Sequence, residues 1–213
     1  MVSGEMRAGV GPWRESHDRA TAGVIGLLVL DGLLVRRVSV GRRSGGELLG
    51  EGDLLRPWQL ESETTTLRVR TRWSVLEPVR LAVLDEGFLP CLARYPELAG
   101  ELLARATARS RNLSVQLAIV HQARVDVRLH MLFWHLASRW GRVRADGTVL
   151  PMRLTHATLA DLVAARRPTV TSALSRLAKE RLARFDGEVW VLSGRPPDEL
   201  LGHDAHARVN GRR

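Results

Sequence analysis

From Leu154 to Leu192 the chain reads LTHATLADLVAARRPTVTSALSRLAKERLARFDGEVWVL. Leu159, Leu162 and Val163 fall at helical spacing, and Thr155 stands where a side-chain oxygen caps a helix start. Ala164-Ala165-Arg166 is short and small enough for a turn between packed helices. Pro168 suits the first turn of a second helix, where a missing N–H costs nothing. That helix brings Val170, Ala173, Leu174 and Leu177 onto one face. Its opposite face carries Arg167, Thr169, Thr171, Ser172, Ser175, Arg176 and Lys179, with no acid before Glu180. Segments 182–185 and 188–192 then flank Asp186-Gly187, a hairpin signal. The pattern predicts a helix-turn-helix with a β-wing, and its polar face suits phosphates and base edges.

Charge supports that reading through its distribution. The formal net charge is +9, but 31 of the 32 cationic residues are arginine, with Lys179 the exception, a pattern that codon bias in a GC-rich genome explains. Residues 166–184 nevertheless concentrate six cations against Glu180 alone, a net of +5, which is the footprint expected of a nucleic-acid surface. Arg166 and Arg167 are the leading candidates for guanine or phosphate contact, a bidentate arginine–guanine pair contributing about 1–3 kcal/mol of discrimination. Thr155, Thr169 and Ser172 suit phosphate positioning or weaker base contacts. Thr171, Ser175 and Arg176 share the polar face, and His156 is balanced between a phosphate contact and ordinary surface.

Upstream the pattern changes twice. Residues 1–22 are polar and glycine-rich, which predicts a flexible lead-in. From 23 to 95 come short β-like segments, 24–30, 33–40, 47–49, 67–69 and 79–84, separated by Asp31-Gly32, Ser44-Gly45-Gly46, Glu51-Gly52-Asp53 and Glu77-Pro78. They predict an antiparallel β-roll and give the chain an α+β class. Across 96–123, Ala99, Leu103, Ala106, Ser110, Leu113, Leu117 and Val120 recur at alternating steps of four and three, while Arg105, Arg109 and Arg111 lie off that seam. One amphipathic helix packed on its own domain accounts for the seam; a dimerisation helix accounts better for its length. Residues 124–194 then form the DNA-binding domain, whose first helix has an apolar face through Val125, Leu129, Leu132, Phe133, Leu136 and Trp140, with a turn at Asp146-Gly147 before the motif. The tail, 195–213, opens near Pro196-Pro197 and is expected to be flexible.

Other chemistries find little support. The single cysteine, Cys91, excludes an internal disulfide and any four-cysteine cluster. The longest apolar run, 23–30, falls far short of the roughly 18 residues of a membrane span, so a cytoplasmic protein with no membrane partner is expected. His121, His130 and His135 lack a ligand spacing with an acid between them, so no metal is expected. A haem on His17 or Cys91 stays open, although a lone His or Cys is usually structural, and no cofactor is called for. The six tryptophans, 13, 58, 73, 134, 140 and 190, are too scattered for a base-stacking array. No triad, phosphate loop or carboxylate pair points to an enzyme.

The order of β-roll, long helix and winged helix-turn-helix resembles the CRP/FNR family of transcription regulators. LTHATLADLVAARRPTVTSALSRLAKERLA is similar to that family's LT-x-x-x-LA-x-x-x-G-x-(S/R)-R-x-(T/S)-V-(T/S)-R-x-L-x-x-L, with Thr155, Leu159, Ala160, Arg167, Thr169, Val170, Leu174 and Leu177 in place. Arg128-Leu129, LLGEGDLL and LAVLDEGF extend the likeness upstream. Ala164 stands where the family has a turn glycine, Pro168 for a glutamate and Ser172 for an arginine, so a different operator is expected. The resemblance implies a homodimer on double-stranded DNA, RNA polymerase as a partner, and a small-molecule effector of unknown identity in the roll. It also implies recognition helices spanning about Arg167 to Glu180 in successive major grooves and DNA domains that rotate about 122–126.

The cyclic-nucleotide cassette of such relatives is degenerate. Gly-Glu is replaced by Arg56-Pro57-Trp58, and Glu63-Thr64-Thr65-Thr66 holds no Arg-Ser/Thr-Ala, so cAMP binding in the familiar way is not expected. Arg56 and Arg68 are the weak candidates for an anion held in another geometry, as a regulator with a non-standard phosphate site would require. An architectural DNA-binding protein with an inert, dimerising roll is the main alternative. A ligand-binding or enzymatic roll with an incidental helical appendage is the third.

Overall fold

Leucine and valine dominate residues 26–35, and this run becomes the central strand of the N-terminal sheet. The computed structural model describes residues 4–13, 25–57 and 68–197. The chain divides into two compact units, Met1–Val115 and Gln116–Arg213.

In the first unit, strands β1 (Gly4–Ala8), β2 (Gly11–Trp13), β3 (Gly26–Val40), β4 (Arg43–Gly50), β5 (Leu54–Leu55) and β6 (Val69–Leu84) form one antiparallel sheet. Its order is β1-β6-β3-β4, with β2 on β6 and β5 on β3. Leu27, Val29, Leu34, Leu49, Leu55 and Leu81 form its core, each fully buried aliphatic side chain contributing about 1.5–3 kcal/mol.

Three expectations for this region are corrected. The flexible lead-in is one, because residues 4–13 form β1 and β2, and Met6, Ala8 and Trp13 close the core against β6. The rest of that lead-in, like residues 58–67, lies outside the described residues. Asp31-Gly32 and Glu77-Pro78 do not end strands. They face each other as a bulge within the continuous β3–β6 ribbon, where the register shifts. Gly32 has φ +89°, and a Cβ there would come 2.1 Å from the Pro78 carbonyl oxygen, so only glycine fits. Burial, reinforced by Asp31, raises the Glu77 carboxyl at this bulge above its ordinary value. The third correction concerns Ser44-Gly45-Gly46, which sits inside β4; the hairpin turns at Gly41-Arg42 between Val40 and Arg43.

A 3₁₀ turn (Glu86–Phe88) and helix α1 (Leu89–Arg94) lead from the sheet to helix α2 (Glu97–Val120). Leu98 and Leu102 of α2 pack against a small cluster of Ala82, Leu84 and Phe88, and Cys91 packs there too. Arg109 reaches the sheet: Nε and Nη2 donate to the Glu47 carboxylate at 2.7 and 2.9 Å, and Nη1 donates to the Leu54 carbonyl at 2.8 Å. Arg36 meets the same buried carboxylate at 2.8 Å, so one acid serves two guanidiniums. Burial pulls Arg36 below its ordinary basicity, and Glu47 opposes that shift.

The second unit contains helix α3 (Val125–Trp140), strands β7 (Arg142–Arg144) and β8 (Gly147–Leu150), helices α4 (His156–Leu162) and α5 (Arg167–Lys179), and strands β9 (Ala183–Phe185) and β10 (Trp190–Leu192). Its four strands run in the order β7-β8-β10-β9. Phe133 of α3 stacks on Trp190 at 4.7 Å between ring centroids, and Phe185 meets Trp190 at 5.1 Å. The described helices include none long and apolar enough to cross a membrane.

Candidate nucleic-acid interface

Recognition geometry here starts with two helix ends. Thr155 caps α4 by accepting from the Thr158 N–H at 3.1 Å, as its position predicts. Helix α4 ends with Ala164 at φ +51°, its N–H donating to the Asp161 carbonyl, while Ala165 N–H reaches the Ala160 carbonyl. This is a Schellman motif with alanine at the position where glycine is usual. Helix α5 ends the same way. Arg181 has φ +57° and bonds to the Ala178 carbonyl, and Leu182 N–H bonds to the Leu177 carbonyl.

Helix α5 buries Val170, Ala173, Leu174 and Leu177 and exposes Arg167, Thr169, Thr171, Ser172, Ser175, Arg176 and Lys179. The apolar and polar faces are those of the sequence pattern. Arg166 is the N-cap residue without a side-chain cap bond, and no acid occupies the first turn, so the helix begins electropositive. The Arg166 and Arg167 side chains have no partner among the described residues.

Hydroxyls on this face are pre-oriented by their own helix. Thr171 Oγ1 donates to the Arg167 carbonyl at 3.1 Å, Ser172 Oγ to Pro168 at 3.3 Å, and Ser175 Oγ to Thr171 at 3.1 Å. Each keeps lone pairs for an incoming donor. Because Thr171 spends its proton on Arg167, the 2.9 Å contact with His156 Nδ1 makes that nitrogen the donor. His156 thus ties the start of α4 to the recognition helix.

Arg176 has a different task. Its Nη1 donates to Asp126 at 2.9 Å, and Arg124 pairs with the same carboxylate. Asp126 is buried, and the Arg124 guanidinium, followed by Arg176, holds its carboxyl well below the usual carboxylate range. Arg128 Nε donates to the Gln122 carbonyl at 2.6 Å and Nη1 to the Val163 carbonyl at 3.2 Å. Gln116 Nε2 also donates to the Leu162 carbonyl at 3.0 Å. The segment expected to swivel, 122–126, is therefore braced against the helix-turn-helix. Asp126 carried no signal in the sequence, because Arg176 lies fifty residues away.

The wing is a hairpin with a four-residue loop rather than a two-residue turn. Trp190 pairs with Phe185, and the Asp186 carboxylate accepts from the Glu188 and Val189 N–H groups at 3.1 and 2.9 Å. Those two bonds draw the Asp186 carboxyl below its ordinary value, that from Val189 most. Arg184 on the wing pairs with Asp146 at 3.1 Å.

The remaining candidates separate. Arg56 and Arg68 are both exposed. Of the helix seam, Ala99, Leu103, Ala106, Ser110 and Leu117 are exposed, and Leu113 and Val120 are half-buried. The described residues hold no group of three metal-ligating side chains. His130 accepts from Trp134 Nε1 at 3.0 Å, and burial holds His135 below its ordinary basicity. His17, Trp58 and residues 63–66 lie outside the described residues, as do residues 198–213 of the tail.

Residues 127–193 match the family described as the Crp-like helix-turn-helix domain. Solved structures share the fold of nearly the whole chain. FixK2 from Bradyrhizobium japonicum is 16% identical with TM-score 0.63, covering 92% of this chain and 94% of its own. A CRP/FNR-family transcriptional regulator from Thermus thermophilus is 20% identical with TM-score 0.62, covering 90% and 94%. A cyclic nucleotide-binding domain containing protein from Listeria monocytogenes is 14% identical with TM-score 0.71, covering 88% of each chain. A comparison with curated protein sequences finds no match. The winged helix-turn-helix follows a sheet-and-helix unit in the chain, the same order of elements that the sequence pattern predicts. Residues 127–193 are thus a Crp-like helix-turn-helix domain, and the fold of nearly the whole chain is shared with a solved CRP/FNR-family regulator.

Proposed function

We propose that the protein is a CRP/FNR-type transcription regulator that binds a specific operator as a homodimer, each α5 entering the major groove from its N-terminal end. Two copies would read half-sites about 34 Å apart on one face of the duplex. The observation that carries the reading is the exposed face of α5, where the Arg166 and Arg167 guanidiniums project beside Thr169 and Ser172 with no intramolecular partner among the described residues. Thr155, His156 and Thr171 position this face, Ser175 adds a hydroxyl to it, and Arg176 anchors it to Asp126. Dimerisation is assigned to the α2 seam, whose exposed Leu103 and Leu117 otherwise leave apolar surface in water. RNA polymerase is the protein partner such a regulator requires, and the cytoplasm is the compartment where both meet DNA.

In the roll, one observation favours a reading without cyclic nucleotide. Arg109 of α2 already satisfies Glu47, while Arg56-Pro57 stands where a ribose-binding Gly-Glu is needed. An architectural protein with an inert roll shares that feature and differs in lacking site preference. Selection of DNA sites in vitro, with and without cAMP, cGMP and c-di-GMP, separates the readings. An enriched palindrome indifferent to cAMP is expected; the absence of any enriched site sinks the operator reading. Arg167→Ala should abolish site preference, and an unchanged footprint removes its assigned role.

A further inference from the structure

Helix α5 turns a narrow stripe of residues outward. At about 100° per residue, Pro168, Ser172, Ser175 and Lys179 lie within about 30° of directly opposite the buried face of Val170, Ala173, Leu174 and Leu177. Arg167, Thr169, Thr171 and Arg176 fall on the flanks, roughly 70–110° from the middle of that buried face. Before Lys179 the stripe therefore carries only a pyrrolidine ring and two hydroxymethyl groups, with no long side chain to hold the helix off a surface. Of the exposed residues from 167 to 177, Pro168 is the apolar one. Its nitrogen carries no hydrogen, and its carbonyl accepts from Ser172 Oγ at 3.3 Å, so the ring offers carbon alone.

Base edges in the major groove match such a group in one way. Guanine, cytosine and adenine present donors and acceptors there, and thymine alone adds a methyl group at C5. A ring pressed onto an amine or a carbonyl strips water from it and returns no hydrogen bond, which disfavours those edges. Pressed onto a methyl group, the ring removes apolar surface from water on both sides. Thr169 and Thr171 also carry methyl groups, but on the flanks of the helix rather than along its outward stripe. Ser172 and Ser175 continue the stripe with hydroxyls, so an apolar contact is confined to the first turn. Arg167 and Pro168 are consecutive and rise only about 1.5 Å along the helix, which places the methyl contact within one or two base pairs of an arginine-bound guanine.

We infer that Pro168 reads a thymine methyl group in each operator half-site. This rests on operator binding through α5, proposed above, and names what one residue of that helix selects. The test takes the DNA site enriched by selection in vitro and follows binding of the full chain by fluorescence anisotropy. Each thymine is replaced in turn by uracil, which removes the methyl group and keeps every hydrogen-bonding group. At one thymine the unaltered protein should lose about fourfold in affinity for each half-site changed, the worth of one buried methyl group. At that position 5-methylcytosine should bind better than cytosine by about the same factor. Pro168→Ser should bind the thymine and uracil sites equally, whereas Thr169→Ser should keep the preference. The uracil scan on the unaltered protein needs no variant, so poor folding of Pro168→Ser does not blunt it. An enriched site at which no uracil replacement matters overturns this inference and leaves operator binding standing. Uracil sensitivity that survives in Pro168→Ser assigns the methyl group to another residue and overturns it equally. The absence of any enriched site overturns operator binding, and this inference falls with it.

Discussion

Ala164 holds a left-handed conformation, φ +51°, that alanine adopts only at a cost on the order of 1 kcal/mol. The Schellman bonds at the end of α4 over-determine it, because the turn has too few residues to reach α5 otherwise. Ala164→Gly should relieve the strain and stabilise the DNA-binding unit by roughly 0.5–1 kcal/mol, since the site is exposed and no Cβ contact is lost there. Thermal unfolding should register a rise of a few degrees; a lower melting temperature would show that unfolded-state entropy outweighs the strain. Asp126 makes the opposite case. Asp126→Asn leaves Arg124 and Arg176 without their shared carboxylate and should cost about 1–3 kcal/mol. The native carboxyl is depressed, so its contribution is present at neutral pH and fades only as pH falls below the ordinary carboxylate value of about 3.9 toward the native one. Between about pH 5 and 2 the parent should therefore lose stability more steeply than Asp126→Asn, as denaturation at a series of pH values would measure.

Helix α2 divides its surface between two jobs. Leu98, Leu102 and Arg109 face the sheet, and the seam through Ala99, Leu103, Ala106 and Ser110 faces outward. Leu103 is 68% exposed and Leu117 58%, so a charge at Leu103 disturbs no core. Leu103→Glu should yield monomers in sedimentation without lowering helix content; a dimer of parent size would move the interface elsewhere. Elements of this kind were legible because heptad spacing and the 3.6-residue face of α5 are local patterns. The strands were legible only in part. Asp31-Gly32 and Glu77-Pro78 have the composition of turns, and only their pairing across the ribbon turns them into a bulge. Gly4 to Trp13 reads as a polar leader because its strand partners lie some seventy residues further on. The candidate site divides along the same line: caps, turn and polar face follow from neighbours in sequence, whereas Asp126, Arg128 and Glu47 act through partners distant in the chain.

Two units with separate cores, Met1–Val115 and Gln116–Arg213, should also unfold separately. Each is secured by a buried acid shared between two arginines, Glu47 with Arg36 and Arg109 in the first and Asp126 with Arg124 and Arg176 in the second. Removing one acid strands two guanidiniums, and the cost is larger where burial is deeper. The side chains of Arg36 and Arg109 are 20% and 18% exposed, against 63% and 54% for Arg124 and Arg176. Glu47→Gln should therefore cost about 3–5 kcal/mol, more than Asp126→Asn, and lower only the transition of the first unit. Replacing Arg36, Glu47 and Arg109 together with apolar residues of similar volume should recover most of that loss, because the desolvation cost of three charges disappears with them. Calorimetry with intrinsic tryptophan fluorescence can follow both transitions, since Trp73 sits in the first unit and Trp190 in the core of the second. A single transition displaced equally by either substitution would show that the units unfold as one cooperative body, and the arginine–acid clusters would then be stabilising a common structure rather than two.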